Sequence, residues 1–173
     1  RSALRADQVA LNPLATSTGA AYSRQIWPRL CISTPMSKKK TAIVTGASQG
    51  IGEAITQRFL DQGYNVVANS RHITASGTFS PSSQLVLIDG DIGKPQTAEA
   101  LVTAAIEHFG RIDVLVNNAG LLIAKPFTEY TETDFYTLVS TIQAGFFFTT
   151  QKVIAHMLNQ HSGNIINIST SLT

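Results

Sequence analysis

Gly46, Gly50 and Gly52 fall within seven residues, directly after the β-branched and aliphatic run T-A-I-V-T at 41–45. A strand that passes at once into a glycine-rich turn and a helix has the geometry of a phosphate site. The first N–H groups of the helix are unpaired and partially positive, and glycine lets the backbone approach a pyrophosphate. In the spacing G-x-x-x-G-x-G, Gly46 permits the sharp turn, Gly50 the close approach, and Gly52 the packing of helix on strand. No Lys-Ser or Lys-Thr follows the last glycine, so a Walker-type triphosphate site is excluded. Taken alone, the motif fits equally well a glycine-rich turn that holds no ligand.

Other chemistries find little support. Cys31 is the single cysteine, which excludes a disulfide within the chain and a thiolate metal cluster. His72, His108, His156 and His161 form no H-E-x-x-H, and His156 and His161 lie five apart, off a shared helical face. Residues 1–35 carry Arg1, Arg5, Arg24 and Arg29 against Asp7, a balance of +3. From Met36 onward nine Lys/Arg face ten Asp/Glu, so the body is nearly neutral and has no nucleic-acid footprint. No apolar run approaches the roughly 20 residues that span a bilayer.

The elements that must position the glycines alternate. Strands are expected at Thr41–Thr45, Tyr64–Asn69, Leu85–Ile88, Val114–Val116 and Asn164–Ile168. Between them lie a helix over Gly50–Gln62 with a stripe of Ile51, Ile55 and Phe59, and a second from Pro95 to Gly110 with Val102, Ile106 and Phe109. Thr131 and Asp134 make a capping-box start to a long third helix reaching about Asn159. Its expected buried stripe includes Phe135, Leu138, Val139, Ile142, Phe146 and Val153. Arg71–Gln84, rich in Ser, Thr, Gly and Pro, reads as loop. This alternation calls for an α/β fold with a parallel sheet covered on both faces. Residues 1–35 hold three of the six prolines and no sustained periodicity. They are expected to be a disordered leader, upstream sequence or an organelle transit peptide, with the folded part at 36–173.

T-G-A-S-Q-G-I-G at 45–52, Asp91 after the third strand and N-N-A-G at 117–120 after the fourth resemble the short-chain dehydrogenase/reductase family, classical type, over about Lys40 to Thr173. The resemblance implies a Rossmann-type doubly wound sheet of order 3-2-1-4-5 with a nicotinamide dinucleotide across the carboxyl ends of the strands. The cofactor contacts would come from Gly46, Ser48, Gln49, Gly50, Ile51 and Gly52 in the turn. Asp91 and Ile92 would hold the adenine, Asn118, Ala119 and Gly120 would face the cofactor, and Asn117 would brace the sheet. The second strand ends Asn69-Ser70-Arg71, with no acid to accept a ribose 2′-OH. Ser70 can donate to a phosphate and Arg71 can pair with it, so NADP(H) is expected over NAD(H). Gln49 stands where many NADP-selective relatives carry a base.

The same resemblance implies exchange of a hydride with a small-molecule carbonyl or secondary alcohol, through a Tyr-x-x-x-Lys pair, a Ser and a helix Asn. None of Tyr22, Tyr64, Tyr130 and Tyr136 has Lys four residues on. The helix Asn position holds Ile142, and the Ser position holds Thr170, with Ser171 beside it. Thr170 and Ser171 are the candidate catalytic hydroxyls, although Thr170 is equally an ordinary β-branched residue at a strand end. The chain is expected to be the N-terminal part of such an oxidoreductase, with negligible turnover by itself. The competing expectation is a non-catalytic dinucleotide-binding module or pseudoenzyme partner. No nucleic acid or membrane partner is expected. The resemblance implies a homo-oligomer for the full-length form, cytoplasmic unless residues 1–35 direct import into an organelle.

Overall fold

The structure, a computed structural model, describes residues 39–169. The expected boundary at residues 35 and 36 and the candidate hydroxyls of Thr170 and Ser171 lie outside the described residues. Five strands, β1 (Thr41–Thr45), β2 (Asn65–Ser70), β3 (Leu85–Asp89), β4 (Val114–Asn117) and β5 (Asn164–Asn167), form one sheet. All pairings are parallel and the order is β3-β2-β1-β4-β5, as the alternating pattern and the family resemblance imply. Ile43 of β1 sits between Val67 of β2 and Leu115 of β4. A strand flanked on both sides and covered on both faces has no polar face, which is why every residue of β1 is buried.

Helices α1 (Gly50–Asp61), α2 (Pro95–Phe109), α3 (Glu132–Leu138) and α4 (Gly145–Gln160) cover the sheet. Ile55 and Phe59 of α1 pack on one face, against Ala42, Val44, Val66, Ala68 and Val116. On the other, Leu101, Val102 and Ala105 of α2 and Val153 and Met157 of α4 pack against Ile43, Val67 and Leu115. Pro95 opens α2 in its first turn, and Gly110 ends it in the left-handed conformation, its N–H donating to the Ile106 carbonyl. After β3 the chain crosses beneath the sheet and re-enters on the far side of β1. The order therefore reverses at β1 and β4, and a crevice opens at their carboxyl ends.

Several expectations are corrected. The second strand runs Asn65–Ser70, one residue later than expected, because Tyr64 leaves the ladder to stack on Phe59, ring centroids 5.0 Å apart. Ile51 is no core residue: it sits at the crevice mouth, 62% exposed, while Gly52 takes the inward position. The long helix begins as expected, with Asp134 N–H donating to the Thr131 hydroxyl and Thr131 N–H to the Asp134 carboxylate. Its stripe fails, however, with Phe135 at 57%, Ile142 at 46% and Phe146 at 42% exposure. The cause is a π-helical turn over Val139–Ala144 between α3 and α4. A π turn takes one residue more than an α turn and rotates all that follows. The buried row of α4 is accordingly Gly145, Thr149, Val153 and Met157.

The segment Arg71–Gln84 contains no helix, in agreement with its composition. It is nonetheless fixed at three points. Ile73 is completely buried among Ala47, Val66 and Leu85. The N–H and hydroxyl of Thr74 both donate to the Asp89 carboxylate. The Thr78 hydroxyl donates to the Ser48 carbonyl at 2.8 Å.

Candidate functional site

The crevice at the carboxyl ends of β1, β2, β3 and β4 is a cleft of about 480 Å³. Its floor is the turn between β1 and α1, where Gly46 has φ 66° and Gly50 φ 58°. A Cβ on Gly46 would come within 2.8 Å of the Ala119 Cα, and one on Gly52 within 2.2 Å of the Gly46 carbonyl oxygen. These two glycines thus serve the closure of the protein on itself, whereas a Cβ on Gly50 would meet open space on the cleft side. Gln49 precedes α1 without any side-chain cap, so the N–H groups of the first turn have no side-chain acceptor there. That combination, an uncapped helix start beside an open glycine, fits the diphosphate of a dinucleotide.

The opposite wall is clamped to β1 from residues 72 and more positions away. Backbone N–H groups of Asn118 and Ala119 both donate to the Thr45 hydroxyl at 3.0 Å. The Asn118 side-chain amide donates to the carbonyls of Thr45, at 3.0 Å, and Gly46, at 3.1 Å. Asn118 therefore lines the cleft while its amide is spent on the turn, a bracing function that the sequence reading gave to Asn117 alone. Asn117 does bind neighbouring elements together: its amide donates to the Thr150 hydroxyl of α4 at 3.1 Å and to the Asn167 side chain of β5 at 3.0 Å.

At the third wall, Ser70, Arg71 and His72 follow β2, and Gly90, Asp91 and Ile92 follow β3. Asn69, buried between them, donates to the carbonyls of Ile88, at 3.0 Å, and Gly90, at 3.2 Å. Sequence reasoning passed over Asn69 as a strand residue; an amide where buried strands carry aliphatics was the available signal. One oxygen of Asp91 accepts from the Gly93 N–H at 2.9 Å, which shapes the turn and leaves the other oxygen toward the cleft. Ile92 is largely buried against Gly145, where a Cβ would come within 2.8 Å of the Ile92 Cγ2. The structure thus gathers Gly46, Ser48, Gln49, Gly50, Ile51, Ser70, Arg71, Asp91, Ile92, Asn118, Ala119 and Gly120 around one cleft, with Gly52 beneath it.

A second cavity of about 490 Å³ adjoins the first past Ala119 and Thr141, beyond the end of β5. Asn117, Ile142, Gln143, Phe146, Asn167 and Ser169 are among its lining residues. Ile142 presents an apolar side chain there, where the resemblance expects a carboxamide. Among the described residues no cluster of His, Cys, Asp and Glu could hold a metal ion, and no helix is long and apolar enough to cross a membrane.

Comparison with known proteins agrees with this geometry. The short chain dehydrogenase family profile matches residues 40–173. The chain is 37% identical over 141 residues to glucose 1-dehydrogenase 2 of Bacillus subtilis, covering 76% of this chain and 54% of that protein. It is 34% identical over 146 residues to a 3-oxoacyl-acyl-carrier-protein reductase of Staphylococcus aureus, covering 78% and 57%. A solved structure of ElxO with NADP bound superposes with a TM-score of 0.70 at 30% identity, over 76% of this chain and 56% of that one. Ligand-free aldohexose dehydrogenase of Thermoplasma acidophilum gives 0.68 at 30% identity, over 77% and 50%. The chain thus spans between 50% and 57% of the length of these relatives. A cleft walled by the glycine turn, Asp91 and N-N-A-G, in a sheet of order 3-2-1-4-5 and under a profile match from residue 40 to 173, makes this chain a member of the short-chain dehydrogenase/reductase family.

Proposed function

We propose that the chain forms the dinucleotide-binding part of an NADP(H)-dependent oxidoreductase that interconverts a carbonyl and a secondary alcohol. The observation that carries this reading is the wall of the cleft formed by Ser70 and Arg71, with no carboxylate on that strand end. A carboxylate there would accept from a ribose 2′-OH and repel a 2′-phosphate, whereas a hydroxyl and a guanidinium donate to phosphate oxygens. The NADP-bound relative supports the same choice.

When bound, the nicotinamide supplies the hydride. This chain's residues would hold the two ends of the dinucleotide: the uncapped start of α1 and Gly50 at the diphosphate, Ser70 and Arg71 at the 2′-phosphate, and Asp91 at the adenine. Thr45, by fixing the N–H groups of Asn118 and Ala119, sets the wall that the nicotinamide half would follow. The second cavity would admit the substrate, and the hydroxyls of Thr170 and Ser171 are the candidates to orient its oxygen.

Titration of the chain with NADPH and NADH, followed by cofactor fluorescence, tests the reading. Tight NADPH binding with weak NADH binding is expected, and comparable affinity for both would sink the preference. A second reading rests on Ile142, whose apolar side chain lines the second cavity where a proton relay would need a polar group. On it, the chain binds the dinucleotide without catalysing transfer. Turnover of a carbonyl panel by the purified 173-residue chain, well above background, would exclude that reading.

A further inference from the structure

His72 follows Arg71 directly and lines the same cleft. Its position is fixed from the next residue onward: Ile73 is completely buried, and Thr74 is bound to Asp89 by both backbone and side chain. A histidine on a mobile loop would sample solvent, but this one is attached to a core residue. Arg71 and His72 form no ion pair among the described residues, where the pairs are Arg111–Asp113, Lys125–Asp134 and Lys152–Glu99.

The charged groups around His72 are few. Arg71 precedes it and Asp91 lies on the wall contributed by the turn after β3. Asp89, at the end of β3, is near enough for the imidazolium to add a small attraction to its carboxylate. Its carboxyl is held below the ordinary range first by the Thr74 hydroxyl and then by the Thr74 N–H. On the α1 side, Glu53 lies in the first turn but does not line the cleft.

A phosphate monoester carries about −1.5 to −2 charge and three acceptor oxygens. Arg71 can take two of those oxygens and about one unit of charge; a second cationic donor is needed to complete the match. We infer that His72 is a further specificity residue of this cleft, donating from its imidazolium to the ribose 2′-phosphate beside Arg71 and Ser70. The inference rests on the reading of the cleft as an NADP(H) site. Because histidine changes charge between about pH 5 and 8, it makes preference for the 2′-phosphate stronger in mildly acid solution.

The test uses the adenosine half alone, so that nothing beyond this cleft enters. Affinities of the chain for 2′,5′-ADP and 5′-ADP are measured by calorimetry at pH 6 and pH 8, for the wild type, H72Q and H72R. H72Q is expected to weaken 2′,5′-ADP about three- to tenfold at pH 6 and less than about twofold at pH 8, with 5′-ADP unchanged at either. Comparison with H72Q removes the titration of the phosphate itself, which both proteins share. H72R is expected to keep the pH 6 affinity at pH 8. Equal loss of both nucleotides in H72Q, or a loss independent of pH, would overturn the inference. Wild-type preference for 2′,5′-ADP that persists undiminished in H72Q would overturn the role of His72 alone. Wild-type affinity no greater for 2′,5′-ADP than for 5′-ADP would overturn the NADP(H) reading along with it.

Discussion

The side-chain amide of Asn118 donates to the carbonyl of Gly46 at 3.1 Å, joining the end of β4 to the glycine turn 72 residues earlier in the chain. A second bond from the same nitrogen reaches the Thr45 carbonyl at 3.0 Å. Removing the amide leaves two part-buried acceptors without their donor. N118A is expected to lose about 1–3 kcal/mol of stability in urea denaturation, and to weaken NADPH binding because the wall of the cleft is no longer held. Unchanged stability would show that these bonds are replaced by water at no cost.

Gly52 and Gly50 separate two functions of one turn. In G52A the new methyl would lie 2.2 Å from the Gly46 oxygen and 2.5 Å from the Asn118 amide nitrogen. Backbone cannot yield as a side chain can, so a loss of about 3 kcal/mol or more is expected. In G50A the methyl meets open space, and the expected cost is the left-handed backbone alone, about 1–2 kcal/mol. G50A should nevertheless lose most of its dinucleotide affinity. Comparing melting temperatures and NADPH titrations of the two variants distinguishes these outcomes.

At the end of β2, R71E places a carboxylate where the reading requires a cation. NADPH affinity is expected to fall on the order of 10–100-fold while NADH affinity holds or rises. A parallel fall for both cofactors would assign Arg71 to the fold of the loop instead.

Asp134 governs an acid-dependent term in stability. Hydrogen bonds from Lys125 and then Thr131 lower its pKa from 3.8 to about 2. Since the folded value lies below the unfolded one, its contribution is full above about pH 5, and is lost as pH falls through the folded value. D134N should be less stable than the wild type at pH 7, and the two should converge as pH approaches 2. Denaturation midpoints at pH 7, 4 and 2.5 check this, and a constant gap would contradict it.

How far the sequence could be read depends on the range of the interactions involved. The strand–glycine–helix unit, the capping box at Thr131 and the stop at Gly110 are local, and each formed as its residues require. Strand order followed from the alternation and the family motifs. The phase of α4 did not, because a π turn leaves no mark in a 3.6-residue pattern. Its position accords with packing against the turn after β3, where a Cβ on Gly93 would come within 2.3 Å of the Ser140 hydroxyl. The bracing amides of Asn69 and Asn118 were equally hidden. Each looks like an ordinary strand or turn residue until the topology brings its acceptors alongside. The candidate cleft was legible in outline since its residues sit in three short motifs; His72 escaped because no motif contains it.

The pinning of the loop after β2 has a kinetic side. Ile73, Thr74 and Thr78 fix it with protein contacts alone, before any nucleotide arrives. A docking anion then meets Ser70 and Arg71 on backbone whose freedom was surrendered during folding, so little ordering entropy remains to be lost on association. Capture at this end of the cleft should therefore proceed in one fast step, limited by diffusion and screened by salt, rather than through a slow rearrangement after encounter.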